Sequence, residues 1–197
     1  MKKKYFFISV IILFGLGFLL HSVYSNFPCF LTSIFFSVND SLWEHNKLII
    51  TSYLALAVLT KFYITDKKNV FFASIIAALI CMTLETSIFG LIYFYILKTK
   101  DNMIVALTTY FISIFFSQIV WTVLMSKEYD KTKNIFGLLL FGLVYSILVY
   151  TSYNPLHNKV FYDYKHKSYG IISTRTWQVL IIEYNYLREV NNYVSNS

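Results

Sequence analysis

The side chains able to do chemistry cluster in one place. Ser37-Val38-Asn39-Asp40-Ser41-Leu42-Trp43-Glu44-His45-Asn46-Lys47 crowds acids, amides, an indole and an imidazole between two long apolar runs. Two further groups stand outside it: His21 closes the first apolar run, and Glu85 interrupts a later one. A charged carboxylate inside a membrane span costs about 2.5–3.5 kcal/mol or more, so such a group faces protein or water rather than lipid. Helical rise sets the heights. Glu85 lies about 22 Å along its run counted from Val70, and His21 about 24 Å along its run counted from Tyr5, at 1.5 Å per residue. Both heights match the level of the polar stretch on the far side of the bilayer. His21, Asn39, Asp40, Trp43, Glu44, His45 and Glu85 are therefore expected to line a polar pocket that binds or passes a small ligand or ion.

The same groups suggest a second chemistry. Two imidazoles with carboxylates can hold zinc and leave one position open for water, which is how a metal-dependent hydrolase works. The candidate ligands are His21, Glu44, His45 and Glu85, and zinc is the cofactor they would suit. No His-Glu-x-x-His or His-x-x-x-His spacing supports this reading. A third reading is structural. Glu85 would then bond Gln118 or a tyrosine as glue between helices, Glu44 would cap a helix, and His21 would reach the interface. Gly-x-Ser-x-Gly, the phosphate-binding Gly-x-x-x-x-Gly-Lys-[Ser/Thr] and Gly-x-Gly-x-x-Gly are all absent. Cys29, beside Pro28, is a thiol or a metal ligand, whereas Cys81 sits in an apolar run as a small hydrophobe. His157 and His166, near Asp163, read as solvated residues.

Composition decides what must position these groups. Of 197 residues, 57% are hydrophobic and 14% charged, against roughly a quarter charged in soluble domains. So much apolar surface cannot be hidden inside one water-soluble core of this size, and lipid must serve as solvent. The net charge of +7 would suggest nucleic acid in a soluble protein, but these lysines sit in short loops between apolar runs. No basic stripe interleaved with aromatics is present, so nucleic acid is not an expected partner.

The expected architecture is all-α: a transmembrane bundle of about five spans over residues 1–151, with an amphipathic tail over 152–197. The first span covers roughly Tyr5 to Leu20. Val23-Tyr24-Ser25 would pass as a signal-peptidase site, but the length of the run and Tyr24 as an interfacial anchor favour a retained helix. Gly17, four residues before His21, gives that helix a face suited to close packing. Phe27 to Phe36 is too short to cross and reads as interfacial or re-entrant. Ser41 and Glu44 have capping-box spacing, which starts the second span near Ser41 and carries it to Ile64. The remaining spans are expected over Val70–Leu97, Met103–Met125 and Ile135–Thr151. In the tail, Phe161 to Ile171 reads as a turn-rich surface segment. Trp177, Leu180, Ile181, Tyr184 and Leu187 then recur at helical spacing.

Lysines orient the bundle. The amino terminus, the loop at Lys67 and the loop at Lys131 fall on one side and carry most of them. The opposite short loops hold Lys47, Lys98 and Lys100. The basic side is expected in the cytoplasm, placing the Trp43-Glu44-His45 stretch and the tail outside the cell membrane.

Val38-Asn39-Asp40-Ser41-Leu42-Trp43-Glu44-His45-x-Lys47, preceded by His21-x-x-Tyr24, resembles an uncharacterised family of small bacterial multi-pass membrane proteins. That family carries Val-Asn-Glu-Ser-x-Trp-Glu-His-x-Lys after a leading helix and closes on an Asp-Pro segment ending Tyr-Gly-Ile. Here Asp40 stands for the Glu, Asp163 and Tyr169-Gly170-Ile171 match the ending, and Tyr164 replaces the proline. The resemblance implies a site joining the first helix, the polar stretch and the tail, with no known activity. The segment after Ile171 reads as an extension of the family pattern.

Overall fold

The structure, a computed structural model, describes residues 3–63, 68–92, 94 and 103–171. The described residues form an antiparallel bundle of five long helices. Helix α1 spans Lys3–Leu20, and two short helices, α2 (Val23–Asn26) and α3 (Phe30–Phe35), lead to α4 (Leu42–Tyr63). Then come α5 (Val70–Leu91), α6 (Met103–Met125) and α7 (Lys131–Tyr153). A two-stranded hairpin, β1 (Tyr162–Asp163) and β2 (Ser168–Tyr169), follows with Tyr162 opposite Tyr169. The expected end of the third span at Leu97, the loop before Met103 and the helix over Trp177–Leu187 fall largely or wholly outside the described residues.

Among the described residues, four segments are long and apolar enough to cross a membrane: Tyr5–Asn26, Val70–Gly90, Met103–Met125 and Lys131–Tyr153. Helix α4 is as long as α5, about 33 Å at 1.5 Å per residue, but its first turns carry Glu44, His45, Asn46 and Lys47. It compensates by being the most enclosed. Leu48, Ile49, Ile50, Tyr53, Leu56 and Ala57 are all buried. The outward faces of the other helices are apolar: Phe7, Ile11, Leu19, Ile104, Leu139 and Leu143 are each more than half exposed. In water that surface would drive aggregation, and in lipid it is solvated.

Helix α5 occupies the centre, packed against α4, α6 and α7, while α1 leans on α4 and α6. Between apolar helices in lipid the association comes from close packing and interhelical hydrogen bonds. Both are present. Gly137 of α7 meets the backbone of Phe71 and Phe72 so closely that a Cβ there would sit 2.6 Å from the Phe72 nitrogen. Trp121 Nε1 donates to Ser74 Oγ at 3.0 Å, Ser9 Oγ donates to Gln118 Oε1 at 2.9 Å, and the hydroxyls of Tyr53 and Ser117 pair.

Helix α7 starts four residues earlier than hydropathy suggests and runs for 23 residues. The reason is a cap: Asp130 accepts from the amides of Thr132 and Lys133 at 2.9 and 3.4 Å. At that end of the bundle Asn69 and Asn134 knit the loops. Asn69 bonds the Glu128 carbonyl and the Asp130 amide, and Asn134 bonds the Lys68 carbonyl and the Phe71 amide. The other end gathers the tip of α1, the start of α4, the later part of α5, the start of α6 and the end of α7. That end holds the chemistry.

Candidate functional site

Three polar groupings occupy this end, and the motif divides between two of them. The first is buried and closed. The hydroxyl of Ser41 caps α4, accepting from the Glu44 amide at 3.3 Å, and Asn39 Oδ1 accepts from the Ser41 amide at 2.9 Å. This is half of a capping box, because the Glu44 carboxylate does not turn back to the cap. Its Oε2 lies 2.8 Å from Lys47 Nζ and accepts from the Val38 amide at 3.2 Å, and its Oε1 accepts from Ser152 Oγ of α7 at 2.6 Å. Lys47 Nζ also donates to the Ser33 carbonyl of α3 at 2.9 Å. Glu44 and Lys47 thus join α3, α4, α7 and the connecting loop, both of them buried. Glu44 was expected in the pocket, and it lies in this internal ion pair instead.

Asn39 and Trp43 hold the tail. Asn39 Nδ2 donates to the Gly170 carbonyl at 2.7 Å. Trp43 donates through its ring to Thr151 at 2.7 Å, through its amide to the Val160 carbonyl at 3.0 Å, and stacks on Phe161 at 4.6 Å between centroids. The tail segment is therefore docked rather than loosely on the surface. Gly170 sits at φ +60, and a Cβ there would lie 2.5 Å from the Ser152 carbonyl oxygen. Only glycine fits that turn without strain.

The second grouping is open. His21, at the end of α1, and His45, in the first turn of α4, place their Nε2 atoms 3.1 Å apart. Asp40 Oδ1 lies 3.6 Å from His21 Nε2. The three side chains each offer a ligand atom within 4.8 Å of the others, so they could hold a metal ion. Asp40 is fixed from behind. Its Oδ2 pairs with Lys165 Nζ at 2.8 Å, and its amide donates to Asp163 Oδ2 at 3.0 Å. Asp163 is fully buried and also accepts from the amides of Lys165 and His166 and from His166 Nδ1 at 2.8 Å. Burial alone would push its carboxyl up. The His166 amide and ring and the Asp40 amide outweigh that and hold it below the usual carboxylate range.

The third grouping lines an open cavity of about 400 Å³ bounded by α1, α4, α5 and α6. Phe14, Phe18, Leu48, Ile49 and Leu107 give it an apolar wall. His21 and His45 face it at one end, and Glu85 faces it from α5. Glu85 accepts from Thr109 Oγ1 and Ser113 Oγ of α6, each at 3.1 Å. Gln118, a candidate partner by composition, is instead engaged by Ser9. Tyr110 lies across Gly17, filling the space a side chain would need, and its hydroxyl donates to the Leu13 carbonyl at 3.4 Å. The small residue beside His21 thus seats a tyrosine of α6.

A family model matches residues 1–171. The chain belongs to the Family of unknown function (DUF6512). Searches of curated proteins and of solved structures found no match. The DUF6512 match ends at Ile171, whose amide donates to the Ser152 carbonyl of α7 at 3.2 Å.

Of the seven site residues read from the sequence, His21, Asp40 and His45 come together, with His21 and His45 sharing the cavity with Glu85. Asn39, Trp43 and Glu44 bond to the tail, to α7 and within their own segment. Sequence reading assigned no role to Ser152 or Lys165, placed Lys47 among the loop lysines and took His166 near Asp163 as solvated, whereas Lys47 and Asp163 are fully buried and Asp163 pairs with the His166 ring. One signal was available for Lys47: three residues after Glu44, it shares a helix face with it. Cys29, weighed as a metal ligand, caps α3, its sulfur accepting from the Thr32 amide at 3.5 Å.

Proposed function

We propose that this DUF6512 protein is a multi-pass membrane protein that binds a small amphipathic molecule in the cavity between α1, α4, α5 and α6. One observation carries the reading. A space of about 400 Å³ with a largely apolar wall counts Glu85, His21 and His45 among its lining residues. Apolar pockets with a few convergent polar groups are the usual form of a small-molecule site. A carboxylate facing such a space favours a ligand group that donates hydrogen bonds or carries positive charge. The apolar wall favours an alkyl body. A long-chain amine has both.

The basic loops at the Asn69 end favour an orientation with that end in the cytoplasm. Lys47, counted by sequence among the opposite loop lysines, is buried in α4 and drops out of that count. The His21 end then opens to the outside.

The probe is dodecylamine, with dodecanol and dodecanoate as comparisons, added to the protein in lipid nanodiscs. Thermal stabilisation by the amine that is lost in Glu85→Gln and in Ala106→Trp, which fills the cavity, supports the reading. Equal stabilisation by all three compounds, unchanged in both variants, overturns it. A second reading, metal-dependent hydrolysis at the same cavity, draws on the His21, Asp40 and His45 trio and requires a metal there first.

A further inference from the structure

We infer that His21 Nε2, His45 Nε2 and Asp40 Oδ1 form a binding site for one divalent transition metal ion of the zinc class, at the end of the cavity where the two imidazoles face it. The site stands on its three donors and does not depend on the cavity taking an amphipathic ligand.

The geometry supports it first. Ligand atoms at 2.0–2.1 Å from a tetrahedral ion lie roughly 3.3–3.4 Å from one another. Two of the separations bracket that spacing, 3.1 Å between the two imidazole nitrogens and 3.6 Å from His21 to Asp40, and the ligand atoms of all three residues lie within 4.8 Å of one another. A hydrogen bond between the rings and an imidazolium–carboxylate pair between His21 and Asp40 would account for the two distances without a metal, and zinc loading of the protein and its variants separates these readings.

The donor set is the second support. Two imidazoles and one carboxylate suit zinc or a similar first-row ion and are too poor in oxygen for calcium or magnesium. Three protein ligands leave a fourth position of a tetrahedral ion open. His21 and His45 line the cavity, so an exchangeable ligand there would meet whatever the cavity holds.

The surroundings are the third. Metal-ligating side chains are generally oriented by a further layer of hydrogen bonds. Asp40 has such a layer on both its carboxylate and its amide, from Lys165 and Asp163. Asp163 is itself fixed by four donors from the hairpin segment and Asp40. That segment, distant in sequence, presents Asp40 to the imidazoles. The ligand set then comprises His21, Asp40 and His45, while Glu44 pairs with Lys47 and Glu85 lines the cavity, bonded to Thr109 and Ser113.

The test uses the full-length chain, purified in detergent with any polyhistidine tag removed, loaded with zinc and desalted. Elemental analysis is expected to give about one zinc per chain. His45→Ala and Asp40→Ala are expected to lower affinity about 100-fold or more, and Asp163→Asn, which loosens the hairpin turn that supports Asp40, by about 10–100-fold. Glu85→Gln is expected to keep its zinc. Cobalt loaded into His21→Cys, in a chain whose Cys29 and Cys81 are both replaced by serine, is expected to add a thiolate-to-cobalt charge-transfer band that the same background with His21 lacks. Zinc content indistinguishable between wild type and His45→Ala, or no such band in His21→Cys, overturns the site. Zinc retained while the amine response is absent overturns the ligand reading alone, and the converse overturns the metal site alone.

Discussion

Glu44 and Lys47 stand one turn apart at the start of α4, with Oε2 and Nζ 2.8 Å from each other and the lysine at 0% exposure. Both charges also bond to groups on other elements, Ser152 and Val38 for the acid and Ser33 for the base. Such a pair stabilises little against an apolar replacement, but loss of one partner leaves a buried charge uncompensated. Glu44→Gln and Lys47→Met are each expected to destabilise the protein by about 3–5 kcal/mol. The double variant should fall well short of the sum, because it removes both charges together. Unfolding in mixed micelles measures this, and strict additivity would contradict the coupling.

Gly170→Ala is expected to undock the tail while leaving the bundle folded. A non-glycine residue in the left-handed region costs roughly 1–2 kcal/mol, and the Ser152 carbonyl adds a steric clash. Because Asn39 holds the Gly170 carbonyl, the hairpin that supports Asp40 should loosen with it. Limited trypsinolysis reads the effect at Lys159, Lys165 and Lys167. A cleavage rate equal to wild type would show that the turn tolerates a side chain.

Much of the fold was legible because lipid imposes a blunt rule: runs of about twenty apolar residues become helices, and polar interruptions mark their ends. The starts of α4 and α6 follow from that rule, the first sharpened by the Ser41 cap. The early start of α7 does not, since Asp130 satisfies its amides before the apolar sequence begins. Within the site, helical rise put His21, Asp40, His45 and Glu85 at one height, which is a one-dimensional statement. It could not tell Glu44 from His45, neighbours in sequence whose side chains diverge around the helix. Nor could it foresee that Asp163 and Lys165, more than a hundred residues on, reach back to Asp40. Those pairings depend on how the tail crosses the bundle end, which hydropathy does not encode.

The two cysteines test the proposed orientation without any new reactive group. Cys29 is exposed in the segment between α1 and α4, and Cys81 is buried in α5. With the basic loops in the cytoplasm, a membrane-impermeant maleimide should label intact cells at Cys29, and Cys29→Ser should abolish the labelling. Labelling that appears only after the membrane is opened would reverse the orientation.

Glu85 and Glu44 are both buried acids, yet their replacements are expected to act in opposite directions. Glu44 is enclosed by an amide, a hydroxyl and an ammonium group. Glu85 faces a cavity and has two hydroxyl donors, of which Thr109 also lies within bonding range of its own helix at the Ala106 carbonyl. Removing the Glu85 carboxylate therefore leaves no buried counter-charge stranded and relieves the cost of holding a polar group in an apolar wall. Glu85→Met should raise stability by about 1 kcal/mol, the size of gain typical when a residue kept for function is replaced by one suited to its surroundings. The same variant should lose its response to dodecylamine. Thermal unfolding with and without the amine, read beside Glu44→Gln, separates the roles. A loss of stability in Glu85→Met as large as that in Glu44→Gln would make Glu85 interhelical glue, and the cavity would then lack the polar anchor on which ligand binding rests.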